Sequence, residues 1–319
     1  MSHPKFTHPP LLSPNTIAAT VMRVARALGL ALPALEKIIG HANADKAKAK
    51  VFAGYQPTAH DVFVATYSKS GTNWAMQIAV QIAWRGEAEF AHIHELVAWP
   101  EAMFTGIVAL DDPRPWQSCP TGKRAIKTVV DTPFMPYSEE ATYFTVLRDP
   151  KDVFVSAYHF LNGVFDLEGE VTVEQWLELF LTPTRFPAGS WPLHASSYWA
   201  WRDRPNVAVL FFSDMKADLP GSVRKVAEAM RVELSDAELA RVVERCSFDW
   251  MKAHEPRFAP PRMLFTRGHG KMLREGKVGG SHALLSDEQR ASIDRWCLSE
   301  LERLGSDLPY REKFEVVEA

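Results

Sequence analysis

The apolar run Val62-Phe63-Val64-Ala65-Thr66 passes directly into Tyr67-Ser68-Lys69-Ser70-Gly71-Thr72-Asn73-Trp74, and this junction constrains the fold more than any other stretch. A β-branched and aromatic run that stops at a Ser/Gly/Thr turn and resumes at helical spacing reads as strand, loop and helix. Such a loop places backbone N–H groups, hydroxyls and the Lys69 ammonium at the positive end of a helix, where a phosphate or sulfate is stabilised. In a nucleotide-triphosphatase loop the Lys follows the glycines. Here Lys69 precedes Gly71, and no upstream Gly fits that pattern. The loop reads as an anion cradle of another kind.

The anion site has to be local, because the chain as a whole is mildly acidic, with a net charge of −3 over 319 residues. That balance argues against a nucleic-acid partner. The three cysteines, Cys119, Cys246 and Cys297, have neither a disulfide framework nor a metal-ligand spacing, which suits a reducing compartment. Met1-Ser2-His3-Pro4 lacks the basic and apolar regions of a signal peptide, so a cytoplasmic protein is expected. The apolar stretch from Val21 to Ile39 is broken by Arg23, Arg26, Pro33 and Lys37. It reads as an amphipathic helical segment rather than a transmembrane span, with weak contact to a membrane surface as the other reading.

Residues 1–50 read as a helical N-terminal appendage, and residues 51–319 as one α/β domain with a parallel central sheet flanked by helices. Strands are expected at Val62–Tyr67, Arg124–Thr128, Thr142–Leu147 and Val207–Phe212. Helices are expected at Thr72–Arg85, Lys151–Leu161, Val173–Leu181, His194–Arg202, Gly221–Arg231, Asp236–Cys246 and Asp287–Leu304, the last behind the capping box Ser286-Asp287-Glu288-Gln289. Two stretches carry no clear period: His92–Asp131, rich in Trp, Pro and Phe, and Phe258–Ser281, rich in Arg, Lys and Gly. Long irregular segments in a compact domain tend to be functional, and open α/β sheets bind ligands at the strand ends such segments reach.

A second chemical signal is Leu147-Arg148-Asp149-Pro150-Lys151, a strand end followed by a helix with Pro in its first turn. Arg148 at the strand tip and Ser156 two turns into the helix can converge on one phosphate, although on these residues alone an Arg148 ion pair with Asp149 or Asp152 and a surface Ser156 is the simpler reading. A third is Arg267–Ser281, with Lys271, Arg274 and Lys277 among closely spaced glycines. It reads as a phosphate-wrapping loop or as a solvent loop.

Together these motifs resemble the sulfotransferases that use 3′-phosphoadenosine 5′-phosphosulfate (PAPS). The resemblance runs from about residue 55 to 305, in the family's order. The family's Tyr-Pro-Lys-Ser-Gly-Thr-x-Trp loop is matched from Tyr67 to Trp74, with Ser68 in place of Pro. Its Arg and Ser, eight residues apart on the 3′-phosphate, are matched by Arg148 and Ser156. Its C-terminal Arg-Lys-Gly-x-x-Gly is matched by Arg274-Glu275-Gly276-Lys277-Val278-Gly279. Phe211-Phe212-Ser213-Asp214-Met215-Lys216 and Cys246-Ser247-Phe248 resemble two shorter family motifs.

The resemblance implies a P-loop-like three-layer sandwich and no metal. It implies that Lys69, Ser70, Gly71, Thr72 and Asn73 hold the 5′-phosphosulfate, and that Trp74 and Phe248 stack the adenine. Phe212, Cys246, Arg274, Glu275 and Gly276 complete the nucleotide site. The implied reaction moves a sulfuryl group from PAPS to an acceptor hydroxyl and leaves adenosine 3′,5′-bisphosphate (PAP). In it Lys69 stabilises the leaving oxygen and Lys127 faces the transferred group.

This chain departs from the family at the base. Where the cytosolic type reads Lys-Thr-His, with His as the general base, the sequence is Lys127-Thr128-Val129-Val130-Asp131. Val129 cannot accept a proton. Asp131, His94 and Glu95 are the candidate substitutes, with a cap on the turn before Pro133 as the other role for Asp131. Glu275 in place of Lys, Phe212 in place of Tyr and Cys246 in place of Thr each remove a favourable group from the nucleotide site. Trp84, Trp99, Phe104, Trp116, Phe134, Tyr137 and Trp191 point to an apolar or aromatic acceptor such as a phenol, alcohol, sterol or lipid, with some of these rings in the core instead. A metabolite kinase and a nucleotide-binding homologue without catalysis are the competing functions. Oligomeric state has no legible signal.

Overall fold

Among the described residues five short strands, buried almost throughout, form one parallel sheet in the order β2-β3-β1-β4-β5. They are β1 (Asp61–Ala65), β2 (Val97–Ala98), β3 (Arg124–Thr128), β4 (Thr142–Leu147) and β5 (Val207–Phe211). The structure is a computed structural model that describes residues 14–42, 44–102, 106–165, 167–184, 186, 189–259 and 279–317. Arg274, Glu275 and Gly276 of the C-terminal motif, and Phe104 of the aromatic set, lie outside the described residues.

Near-continuous burial of the strands follows from helices on both faces. Phe63, Ala65, Ile126, Tyr143 and Leu147 belong to one hydrophobic cluster, and Val62, Val64, Ala125, Phe144 and Val146 to another. The alternation is the period-2 pleat dividing side chains between two layers. Helix Thr72–Ala83 packs in the second layer, and helices Pro150–Phe165 and Trp191–Trp199 in the first, which makes a three-layer α/β sandwich.

Within the sheet β1 is central, and the chain leaves it first toward β3 and β2, then toward β4 and β5. That reversal opens a crevice at the carboxyl ends of β1, β3 and β4. The Tyr67–Gly71 loop, Lys127-Thr128-Val129 and Arg148 all stand at this edge. The register Val64↔Lys127 and Ala65↔Thr128 brings the first two side by side.

Several expected boundaries move. β1 ends at Ala65, because Tyr67 turns inward and donates its hydroxyl to the Gly189 carbonyl at 2.8 Å. β5 ends at Phe211, and Phe212 opens a short helix, Phe212–Ala217. The helix expected from His194 starts at Trp191, because Ser190 caps it, accepting from Leu193 N. The helix expected from Gly221 starts at Leu219 under the Asp218 cap. β2 lies inside the stretch read as irregular, its two residues too few to show a period.

The N-terminal helices Pro14–Ala27 and Ala31–Ala42 bury Met22 and Leu35 in the same cluster as β1. Asp45–Val51 follows, and from it Lys48 reaches Asp131 at 2.6 Å. Among the described residues no helix is long and apolar enough to cross a membrane.

Candidate active site

The loop after β1 is held in left-handed backbone at two points. Lys69 has φ 66° and Gly71 has φ 96°. For Lys69 this conformation is strained, the kind of cost that structures carry at ligand clamps. For Gly71 it is permissive, and a Cβ there would press on the Phe212 ring at 3.1 Å. Ser70 N donates back to Tyr67 O at 3.1 Å, and Thr66 Oγ1 donates to Thr72 Oγ1 at 2.7 Å, so the turn is tied internally. Ser70 is fully buried, yet its Oγ has no hydrogen-bond partner among the described residues. A buried orphan hydroxyl beside a helix N-terminus is the atom an incoming phosphate oxygen would satisfy.

Cations converge on this loop. The Arg148 guanidinium donates from Nη1 to Lys69 O at 3.1 Å, lies 4.7 Å from the Phe212 ring centroid, and approaches Asp152 at 3.9 Å. Of the two readings left open for Arg148, the ion pair with Asp152 is present, and the guanidinium also bonds the loop. Burial, then the charges of Arg148 and Lys127, lower the Lys69 ammonium to about 7. Burial likewise lowers Lys127 to about 7, against an opposing pull from Glu101. Lys69, with two further cations near enough to lower it, marks a place prepared for an anion. The residues present therefore fit a phosphosulfate group. Ser156 lies half-buried on helix Pro150–Phe165, two turns beyond Arg148.

The helix side of the loop is built around Trp74. Its indole N–H donates to Cys246 O at 2.8 Å, and its ring meets Phe212 edge-on at 5.4 Å. Asn73 Nδ2 donates to Phe258 O at 3.2 Å, so its side chain braces the loop from behind. Phe248 is 40% exposed, an unusual position for a large ring. Cys246 is fully buried, and burial pushes its thiol pKa up.

On the other side of Lys69 lies a cavity of about 160 Å³, lined by Ser68, Lys69, Trp99, Val129, Ala157, Phe160, Leu161 and Phe186. Lys69 Nζ sits 3.8 Å from the Phe160 ring centroid, and Lys127 Nζ 3.2 Å from that of Trp99. Both lysines thus lie against aromatic walls. Of the aromatic residues singled out in sequence, Trp99 lines this cavity. Trp191 is core, packed on Tyr310 and Phe314, and Trp116 stacks on His60. Phe160 and Leu161 escape sequence reasoning. A signal for them exists, because they lie one turn past Ser156 on the same helix.

The three candidate bases are engaged elsewhere. Asp131 stands at the N-cap of the turn Thr132–Phe134 but makes no side-chain cap bond, so the capping role is not what holds it. Its Oδ2 accepts from Lys48 Nζ at 2.6 Å, and the carboxylate is buried. His94 Nδ1 bonds Val97 O at 2.9 Å, its ring stacks on Trp99, and burial followed by the Lys127 charge lowers it to about 3. Glu95 Oε2 accepts from Ala91 N at 3.1 Å. None of the three lines the cavity. A carboxylate that sequence reasoning does not single out, Glu101, bonds Thr128 and Val129 instead.

The sulfotransferase domain family matches residues 59–305. Human sulfotransferase 1C2 is 26% identical over 243 residues, covering 72% of this chain and 80% of the relative. Guinea pig (Cavia porcellus) 3-alpha-hydroxysteroid sulfotransferase is 28% identical over 232 residues, covering 69% and 76%. Among solved structures, retinol dehydratase in complex with androsterone and inactive cofactor PAP matches with a TM-score of 0.68 at 21% identity, over 83% of this chain and 87% of that one. Mouse sulfotransferase SULT7A1 complexed with PAP matches with a TM-score of 0.59 at 22% identity, over 81% and 89%. These structures share the fold of this chain.

Proposed function

Because the chain belongs to the sulfotransferase domain family and is a sulfotransferase enzyme, we propose that it transfers the sulfuryl group of PAPS to the hydroxyl of a small hydrophobic or aromatic acceptor. One observation carries the reading. Lys69 is shared between an anion-binding loop and an apolar cavity, so donor and acceptor would meet at its ammonium. Ser70, Gly71, Thr72 and Asn73 would hold the phosphosulfate, Arg148 and Ser156 the 3′-phosphate, and Trp74 with Phe248 the adenine. Arg274, Glu275 and Gly276 remain proposed contacts of the same nucleotide. Lys69 would carry the charge that grows on the bridging oxygen, and Lys127 would face the transferred group. Sulfuryl transfer of this kind rests on positioning and charge stabilisation.

Support for the acceptor class comes from the cavity walls. Trp99, Val129, Ala157, Phe160, Leu161 and Phe186 offer apolar contact, while the polar groups lie only at the Ser68–Lys69 end. A phenol, alcohol or sterol presenting one hydroxyl to that end suits such a wall. The steroid-sulfating relative points the same way.

The test pairs binding with transfer. Calorimetry with PAP, ATP and AMP should show preference for the 3′-phosphorylated ligand, lost in Arg148→Ala. Labelled PAPS should then pass its sulfur to members of a phenol, alcohol and sterol panel. Equal affinity for ATP refutes the donor assignment. Tight PAP binding with no transfer to any acceptor supports the homologue without catalysis instead.

A further inference from the structure

We propose that the Glu101 carboxylate takes the proton of the acceptor hydroxyl, the role for which Val129 has no atom. This rests on the sulfotransferase reading above. Glu101 follows β2 by way of Trp99 and Pro100, and its Oε1 accepts from Thr128 Oγ1 at 2.6 Å and from Val129 N at 2.8 Å. Glu101 does not itself line the cavity, but one of its oxygens is clamped to the backbone of Val129, which does, and Trp99, two residues before it, lines the same cavity. The other oxygen, Oε2, is buried and makes no hydrogen bond among the described residues. A carboxylate fixed through one oxygen and bare at the other has lone pairs available and little freedom to move away.

The electrostatic setting agrees with the geometry. Burial raises the Glu101 carboxyl above its ordinary value, against the opposing pull of Thr128, of the backbone N–H groups of Val129 and Glu101 itself, and of the Lys127 charge. The titratable groups that interact with it are Lys127 on β3 and Tyr198 on helix Trp191–Trp199. Glu95 also has a bare oxygen, Oε1, but its other oxygen is held by Ala91 N, and neither contact reaches β3 or the cavity wall. Only Glu101 among these carboxylates is tied to the strand end where the acceptor would lie.

In the step itself the acceptor oxygen forms a bond to sulfur. The sulfur–oxygen bond to the 5′-phosphate breaks, and its electron pair stays on the bridging oxygen beside Lys69. The acceptor's proton passes to Glu101 Oε2 and then to water. No further reactant is consumed.

The test is Glu101→Gln, whose amide oxygen can still accept from Thr128 and Val129 while lacking basicity. Single-turnover transfer from PAPS is measured with an aliphatic alcohol and with 4-nitrophenol at a pH where the latter is ionised. The expected loss is about 10²–10⁴-fold for the alcohol and under about tenfold for the phenolate, which has no proton to give. PAP affinity and acceptor KM stay within about threefold, so the loss falls on kcat. Wild type should lose rate with the alcohol as pH falls through the titration of the Glu101 carboxyl, whereas with 4-nitrophenol the loss follows the phenol's own protonation. A merely structural role predicts equal losses with both acceptors, and that result overturns the proposal. So does a loss below tenfold with the alcohol, or a wild-type rate with the alcohol that stays constant as pH falls, a readout that needs no variant to fold. If wild type itself transfers nothing, the sulfotransferase function falls, and Glu101 with it.

Discussion

Lys69 and Lys127 make the donor site pH-sensitive in a way that can be worked out. Both titrate at about 7 in the free protein, chiefly because they are buried and, for Lys69, because Arg148 and Lys127 stand near it. An anionic nucleotide favours the charged form of a lysine, so binding restores the ammonium. Above pH 7 that restoration takes a proton from solution, and affinity must fall as pH rises. For one lysine at about 7, the neutral fraction is about nine-tenths at pH 8, and the affinity lost between pH 7 and 9 is about fifty-fold. The second lysine steepens this to the extent that the same anion recharges it. PAP is a suitable probe, because its phosphates are already fully ionised over most of this range. The assay is calorimetry from about pH 6.5 to 9 in buffers of different ionisation heat, which separates proton uptake from binding heat. Uptake should approach one proton per lysine at the upper end and shrink in Lys69→Met. An affinity constant to within about twofold across that range, with no proton uptake, would refute the claim that these lysines are depressed and face the ligand.

Other outcomes follow from the same geometry. For folding, the sign is opposite to that for binding: between pH 7 and the usual lysine range the unfolded chain holds more protons, so the lysines' contribution makes the unliganded protein more stable as pH rises, and urea unfolding of Lys69→Met should show a shallower rise. Gly71→Ala forces a side chain into φ 96° against the Phe212 ring, and should cost at least about 1 kcal/mol of stability and weaken PAP, read by thermal melts with and without ligand. Phe248→Ala should cost less stability than the roughly 3–5 kcal/mol of a fully buried ring, because the residue is 40% exposed. If that ring stacks adenine, the same change should weaken PAP by about 1–3 kcal/mol, and an unchanged affinity would remove it from the site. Lys48→Met leaves Asp131 buried without its partner, and should lose about 3 kcal/mol in urea unfolding, with a smaller loss when Asp131→Asn is added.

The parts of the site that are legible in sequence are the ones that local chemistry dictates. The β1 loop announces itself because a strand, a Gly at a left-handed turn and a helix start must follow one another in sequence. Arg148 is likewise readable from a strand end followed by Pro150. What stays hidden depends on pairing between distant segments. β2 is two residues long and exists through its bonds to β3, so no periodicity marks it. Glu101 acquires its meaning only once β2 lies beside β3, 27 residues away. Asp131 looks like a free carboxylate or a turn cap in sequence because its partner, Lys48, lies 83 residues earlier in what reads as an appendage. The aromatic stretch misleads in the other direction, since Trp191 and the wall residue Trp99 have the same local appearance and opposite surroundings.

The bond from Arg148 Nη1 to the carbonyl of Lys69 has a consequence for ligand choice. It ties the tip of β4 to the turn after β1, so the grip proposed for the 3′-phosphate and the one proposed for the 5′ end form a strut of fixed length. Such a strut acts as a gauge. A nucleotide carrying anions at both ends of the ribose spans it, while one with a longer phosphate chain and no 3′-phosphate leaves Arg148 pulling only on the loop. The same carbonyl belongs to the residue with the strained backbone, so whatever draws Arg148 away also frees the turn that carries the Lys69 ammonium.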